Sequence, residues 1–234
     1  MCVTVLADSY FRDFRIKDNL INGKIDLGHK SNKTVKVVNL SKGSWTFEKL
    51  LNDKTILSQW VDSRPRITVI HLGAVDLINR SVTYNIKTVK RCFVNLIETT
   101  VEKLRELARS KIPDFESWNK DHIFLVAQLP DWNNYKGRDN SLKPEDYMQV
   151  RRLINKELKT KRGILFSKRN ILTVHPEVVF PSMHGVHYDP ASQKEYIEQF
   201  FMVIRKLLCE ECRPAKTTST KALGLLRNTS CLKN

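Results

Sequence analysis

The stretch ITVIHLGAVD, residues 67–76, decides how the rest of the chain is read. Its first six residues, ITVIHL, form a short run rich in β-branched side chains, the pattern of a strand covered on both faces. Its last four, GAVD, place a glycine and an aspartate directly after that strand. A strand buried on both faces implies a parallel sheet with helices above and below it. Four further runs of the same kind occur: VTVLA (3–7), TVKVVN (34–39), HIFLVAQ (122–128) and NILTV (170–174).

Helical periodicity fills the intervals. Residues 84–110 carry Ile86, Val89, Phe93, Ile97, Leu104 and Leu107 as one apolar stripe. Residues 144–160 carry Tyr147, Val150, Ile154 and Leu158, and residues 190–208 carry Tyr196, Ile197, Phe200, Ile204 and Leu208. Asp189 and Pro190 offer an N-cap and a first helical residue for the last of these. A shorter helix is expected over 45–61. Strands alternating with helices predict right-handed crossovers and an α/β fold, a three-layer flavodoxin-like domain with a five-stranded parallel sheet. The domain is expected to span 1–212. Residues 213–234 hold many Ser, Thr, Lys and Arg and no acid, the composition of a basic flexible tail.

With 234 residues, 41% of them hydrophobic, the chain can build one sizeable core. It has no run of eighteen apolar residues, so no membrane span is expected. The start, MCVTVLADS, lacks a basic segment, and its apolar run stops at Asp8, so it does not read as a secretory signal. An intracellular location, cytoplasmic or nuclear, follows as the expectation. The cysteines, Cys2, Cys92, Cys209, Cys212 and Cys231, are odd in number and widely spaced, which argues against a disulfide framework. Cys209 and Cys212 form a lone CxxC and read as ordinary thiols. A net charge of +15 favours polyanions, and non-specific affinity for nucleic acid or another polyanion is expected. Sequence-specific recognition lacks support, because neither an aromatic-interleaved RNA motif nor zinc-finger spacing is present.

Open α/β sheets bind ligands beyond the carboxyl ends of their strands. The residues found there are Asp8 and Ser9, then Asn39 and Gly43, then Gly73 and Asp76. The loop LPDWNNYKGRDNS follows with Trp132 and Tyr135 as pocket walls, and HPEVVFPSMHGVHYD closes the series with His184 and His187. A serine first and a histidine last on one rim suggest acyl transfer from a small acyl ester. Serine is a poor nucleophile until a base takes its proton, a task for His187. Backbone N–H groups at Ser9 and Gly43 could hold the developing oxyanion. Singly, each residue has a plainer use: Ser9 as a turn cap, Gly43 as a turn glycine, His187 as a surface group. As an ordered set on one rim they point to a site. A metal held by His184 and His187 with Asp8, His175 or Asp76 would lack any metal-site spacing, so no metal and no other cofactor is expected.

The order of ADS after the first strand, a glycine after the second, GxxD after the third and GVH before the last helix resembles the SGNH (GDSL-type) hydrolases over roughly residues 3–208. The resemblance implies Ser9 as nucleophile, Gly43 as oxyanion donor and His187 as base, with Asp8, Gly73, Asp76 and His184 in support. It implies hydrolysis of esters, thioesters or sugar O-acetyl groups without metal or organic cofactor. Three positions depart from the family's blocks. Ala7 replaces a glycine, Val75 replaces the asparagine that donates to the oxyanion, and His184 replaces the aspartate that orients the base. A lost oxyanion donor typically costs about two to three orders of magnitude in rate. Two close imidazoles each disfavour protonation of the other, so His184 gives no support to a His187 imidazolium. Two functions therefore stand side by side: a weak or specialised serine esterase or deacylase, and a catalytically impaired SGNH-like domain kept for binding or interaction. Esterase-type domains of this family also occur in proteins of mobile genetic elements, which would join the second reading to nucleic acid and the basic charge.

Overall fold

A computed structural model describes residues 1–8, 24–26, 34–78, 85–130, 142–160, 171–174 and 190–208. Six strands, β1 (Cys2–Ala7), β2 (Lys24–Asp26), β3 (Thr34–Asn39), β4 (Ile67–His71), β5 (Ile123–Ala127) and β6 (Ile171–Val174), form one sheet in the order β2-β3-β1-β4-β5-β6. All neighbours pair in parallel except β2, which runs antiparallel along the outer edge of β3. Among the described residues the sheet thus has six strands where the sequence led to five. The three residues KID are too short to show any periodicity. Without that edge strand the order is the flavodoxin-like one, with the chain reversing its direction of travel across the sheet at β1.

Every residue of β1 and β4 is buried. Successive side chains of a strand point to opposite faces, so both faces of the sheet are covered there. Thr68 and Phe124 are register partners and share a face. On that face Trp60 donates its indole N–H to Thr68 Oγ1 at 2.9 Å and stacks on Phe124, while the Arg105 guanidinium lies 5.5 Å from the same ring. Trp60 belongs to α2 (Lys54–Asp62) and Arg105 to α4 (Ile86–Lys111), so these two helices cover that side. His71 lies three residues beyond Thr68 and faces the other way. There it meets Tyr196 and Phe200 of α7 (Pro190–Leu208) edge to face. Of the stripes read from the sequence, Val89, Phe93, Ile97 and Leu104 are buried in α4, with Leu107 partly buried, and Tyr147, Val150, Ile154 and Leu158 are buried in α6 (Pro144–Thr160), as are Tyr196, Ile197, Phe200, Ile204 and Leu208 in α7.

The helix expected over 45–61 is in fact two, α1 (Phe47–Asn52) and α2. Asp53 divides them. Its N–H donates to Leu50 O at the end of α1, and its carboxylate accepts from Ile56 N at 3.1 Å to begin α2. An aspartate that can cap a new helix competes with continuing the old one. Lys42 pairs with the same carboxylate. That hydrogen bond, with the Ile56 N–H behind it, holds Asp53 below the ordinary carboxylate range. Two further short helices, α3 (Ala74–Ile78) and α5 (Phe115–Asp121), lie where the sequence reading placed none.

The N-terminal end of the sheet closes on a buried histidine. His122, 1% exposed, donates from Nδ1 to Pro65 O at 2.8 Å, which leaves Nε2 to accept from Thr68 Oγ1 at 3.2 Å. Thr68 Oγ1 in turn accepts from Trp60, and Trp118 stacks on the imidazole with centroids 4.1 Å apart. Each of these bonds suits a neutral ring. Burial pushes His122 down from 6.5 to about 3, against the Pro65 carbonyl and with help from Arg105 and Arg66. The unfolded chain therefore binds a proton below pH 6.5 that the native protein refuses until about pH 3. Stability contributed by the neutral ring is complete above that window and is lost as the pH falls through it. Urea unfolding is expected to show a decline of up to about 1.4 kcal/mol per pH unit from this residue. His122→Asn, uncharged throughout, should give a visibly shallower decline between neutral and mildly acidic pH; an unchanged slope would assign the acid sensitivity to other groups.

Candidate active site

The carboxyl ends of β1, β3 and β4 are tied together by the backbone. Leu40 N–H donates to Val5 O at 2.9 Å and Lys42 N–H to Ala7 O at 3.0 Å, so the loop after β3 stays paired with β1 past the end of the strand. On the other side, Asp8 N–H donates to His71 O at 3.1 Å. Asn39 shapes the loop: its Oδ1 accepts from Ser41 N at 3.1 Å and from Ser41 Oγ at 2.5 Å. Gly43 follows directly after the residue pinned to β1. The left-handed residue of this turn is Ser44, with φ 56. The turn ends at Thr46, whose hydroxyl caps α1 by accepting from Lys49 N at 3.1 Å.

Gly73 is held by sterics. Its φ is 112, a conformation side chains rarely adopt, and a Cβ there would lie 2.3 Å from Phe93 Cζ and 3.2 Å from Phe47 Cε2. Phe47 and Phe93 meet edge to face with centroids 6.0 Å apart, so Gly73 is the gap into which this aromatic pair fits. Asp76, in the first turn of α3, accepts the N–H of Phe47 on both carboxylate oxygens at 3.3 Å. It thereby ties the start of α1 to the loop after β4. Val75 is partly buried and packs against the hydrophobic core. The sequence named Gly73 and Asp76 as support for a site, and what they visibly support is the joint between two rim loops.

Asp8 is 1% exposed at the end of β1. Its Oδ1 lies 3.3 Å from Nδ1 of His71, which is also 1% exposed. The other ring nitrogen, Nε2, is 2.8 Å from the Tyr196 hydroxyl of α7. In the tautomer that carries its proton on Nδ1, toward the carboxylate oxygen, Nε2 accepts from the Tyr196 hydroxyl. Neither His71 nor Tyr196 was nominated from the sequence. The available signal was a histidine closing an otherwise apolar strand at the rim; Tyr196 looked like one more member of a helical stripe.

Ser9, Trp132, Tyr135, His184 and His187 lie outside the described residues, as do Asp189, His175, Cys209, Cys212 and the segment 213–234. Asp8, Gly43, Gly73 and Asp76 are brought to one rim. Among the described residues, no three His, Cys, Asp or Glu side chains group closely enough to hold a metal ion. Among the described residues, too, no helix is long and apolar enough to cross a membrane.

The fold resembles those of several solved structures, lipases among them. TesA superposes with a TM-score of 0.52 at 15% identity, covering 89% of this chain and 100% of its own. The lipase Lip_vut3 from a goat rumen metagenome gives 0.53 at 16% identity, with coverages of 86% and 96%. A member of the lipolytic G-D-S-L family from Veillonella parvula gives 0.51 at 14%, with coverages of 87% and 97%. No protein-family model and no curated protein matches the sequence. The chain has the fold of the SGNH (GDSL-type) hydrolases, and the resemblance drawn from its motifs holds at the level of that fold.

Replacing Gly73 with alanine combines a strained backbone with a clash against Phe93. We expect Gly73→Ala to destabilise the protein by about 2–4 kcal/mol in denaturant unfolding. Adding Phe93→Leu should relieve the contact and recover only part of the loss, because the backbone conformation stays unfavourable. Full recovery would show that sterics alone require the glycine.

Proposed function

We propose that the protein is an SGNH-type serine ester hydrolase acting on a small acyl ester, with Ser9 as nucleophile and His187 as base. The observation that carries this reading is the double backbone tie at the end of β1. Ala7 O is bonded to the loop that leads into Gly43, and Asp8 N–H to the strand that leads into Gly73. β1 thus ends between those two loops, at the topological switch point where open α/β sheets bind ligands, and Ser9 is the next residue of the sequence after Asp8. Two of the similar structures, a lipase and a lipolytic G-D-S-L protein, support an ester as the substrate class.

In this reading Ser9 Oγ attacks the acyl carbon while His187 takes its proton. The N–H groups of Ser9 and Gly43 donate to the oxyanion that forms. Collapse of the intermediate expels the alcohol, which receives the proton from His187, and a water repeats the sequence on the acyl-serine. Histidine at 184 supplies no anion for the imidazolium, so turnover is slow. Fluorophosphonate is expected to label the protein and to spare Ser9→Ala. Nitrophenyl-ester turnover should fall about a hundredfold or more in His187→Ala and rise about tenfold or more in His184→Asp, which restores the missing charge. Wild-type turnover in both Ser9→Ala and His187→Ala would remove the reading.

A second property is favoured by a surface feature. Exposed Lys87 and Arg91, with Lys90, line a shallow cleft of about 430 Å³ beside α6, where Lys90 bonds Glu157 at 2.9 Å. With a net charge of +15, this cleft suits a polyanion, and it is compatible with an SGNH-like domain kept for association with nucleic acid. A labelled RNA is expected to bind weakly at about 50 mM salt and at least tenfold more weakly at about 200 mM. The pair Lys87→Glu and Arg91→Glu should weaken binding several-fold at the lower salt. Absence of binding there reduces the charge to a solvated surface.

A further inference from the structure

We propose that Asp8, His71 and Tyr196 form a positioning line that holds the nucleophile and the base of the proposed hydrolase in one frame. The inference rests on the ester-hydrolase reading above. Asp8 is the residue before Ser9, and Tyr196 stands in α7, the helix that begins three residues after His187. Between them His71 spans the gap with both ring nitrogens, at 3.3 Å from Asp8 Oδ1 and 2.8 Å from the Tyr196 hydroxyl. The three side chains come from a central strand, its neighbour and the helix covering one face of the sheet. His71 and Asp8 are 1% exposed and Tyr196 is 3% exposed.

Two features separate this line from ordinary packing. First, it is polar and water-excluded: the Tyr196 hydroxyl is hydrogen-bonded to His71 Nε2, and His71 Nδ1 stands at ion-pair distance from Asp8 Oδ1 without hydrogen-bond geometry. Second, it lies at the rim, where the end of β1 is also fixed by Asp8 N–H to His71 O. Backbone and side chain of Asp8 are therefore both referred to the same histidine. Proton transfer from a serine needs the base within hydrogen-bond reach, and a displacement near 1 Å can cost about a hundredfold in rate. Tyr196, His71 and Asp8 touch no substrate in this scheme; they act through Ser9 and His187.

The line can be cut at either end without deleting bulk. Tyr196→Phe removes only the hydroxyl. His71→Asn retains a group near Nδ1 facing Asp8 and also loses the Tyr196 bond, whereas His71→Gln retains a group near Nε2 facing Tyr196 and loosens the Asp8 contact. The experiment is steady-state turnover of a short-chain nitrophenyl ester with the rate of fluorophosphonate labelling, alongside thermal unfolding of each variant. Tyr196→Phe and His71→Asn are expected to lower kcat about tenfold with KM within about twofold. The double variant should be no slower than either single one, because both cut the same link. His71→Gln should keep more activity than His71→Asn if the link to α7 dominates. The proposal is overturned if Tyr196→Phe turns over like wild type, if the two effects multiply, or if activity falls only in step with melting temperature. It is also overturned if Tyr196→Phe and His71→Asn both fail to fold, since the line is then purely structural. Should the wild-type protein neither hydrolyse esters nor take the label, the hydrolase reading itself has failed and the positioning role falls with it. That result is distinct from an active wild type with unaffected variants.

Discussion

The register of β1 against β4 is the constraint on which the rest of the molecule depends. Ala7 stands opposite His71, and one further backbone bond, from Asp8 N–H to His71 O, carries that pairing to the rim. A shift of one residue would turn every side chain of β1 to the other face. Val3, Val5, Leu6 and Ala7 are buried on both sides, so apolar burial alone would tolerate such a slip better than in a half-exposed strand. The polar groups at the two ends forbid it. At the lower end Thr4 Oγ1 is 2.8 Å from Ser63 Oγ, and at the upper end Asp8 faces His71. A strand buried along its whole length is thus indexed by the polar contacts of Thr4 and Asp8.

The same division explains what the sequence disclosed. Runs such as VTVLA and ITVIHL identified central strands because covering on both faces demands continuous apolar character, and the stripes of α4, α6 and α7 appeared because each buries a single face. What escaped notice is held by individual polar contacts. The break between α1 and α2 rests on Asp53 serving one helix end and the next helix start. The edge strand β2 rests on three residues paired with β3. In the candidate site the rim residues Asp8, Gly43, Gly73 and Asp76 were legible because strand ends can be counted. Their local partners were not, since the pairing of Asp76 with Phe47 N or of His71 with Tyr196 joins positions 29 and 125 residues apart.

Comparison of the two buried histidines gives the last step. His122 and His71 are equally buried, each 1% exposed, and each bridges separate elements. His122 sits at the amino ends of the strands among Thr68, Trp60, Trp118 and Pro65, all neutral partners that suit a neutral ring. Such a network specifies packing and nothing more is required of it. His71 sits at the carboxyl ends and is matched to a carboxylate. Taking a polar pair out of water has a cost, and well-packed apolar residues of the same volume often hold a corner as well. If cohesion were the only requirement at this corner, an apolar pair could meet it as well. An aspartate immediately before Ser9, facing a histidine that is in turn bonded to the helix following His187, is placed where direction matters more than cohesion. The asymmetry between the two ends of one sheet, an imidazole among neutral partners below and a carboxyl group, imidazole and hydroxyl in line above, follows the polarity of the α/β fold itself, whose ligands are met at the carboxyl ends of its strands.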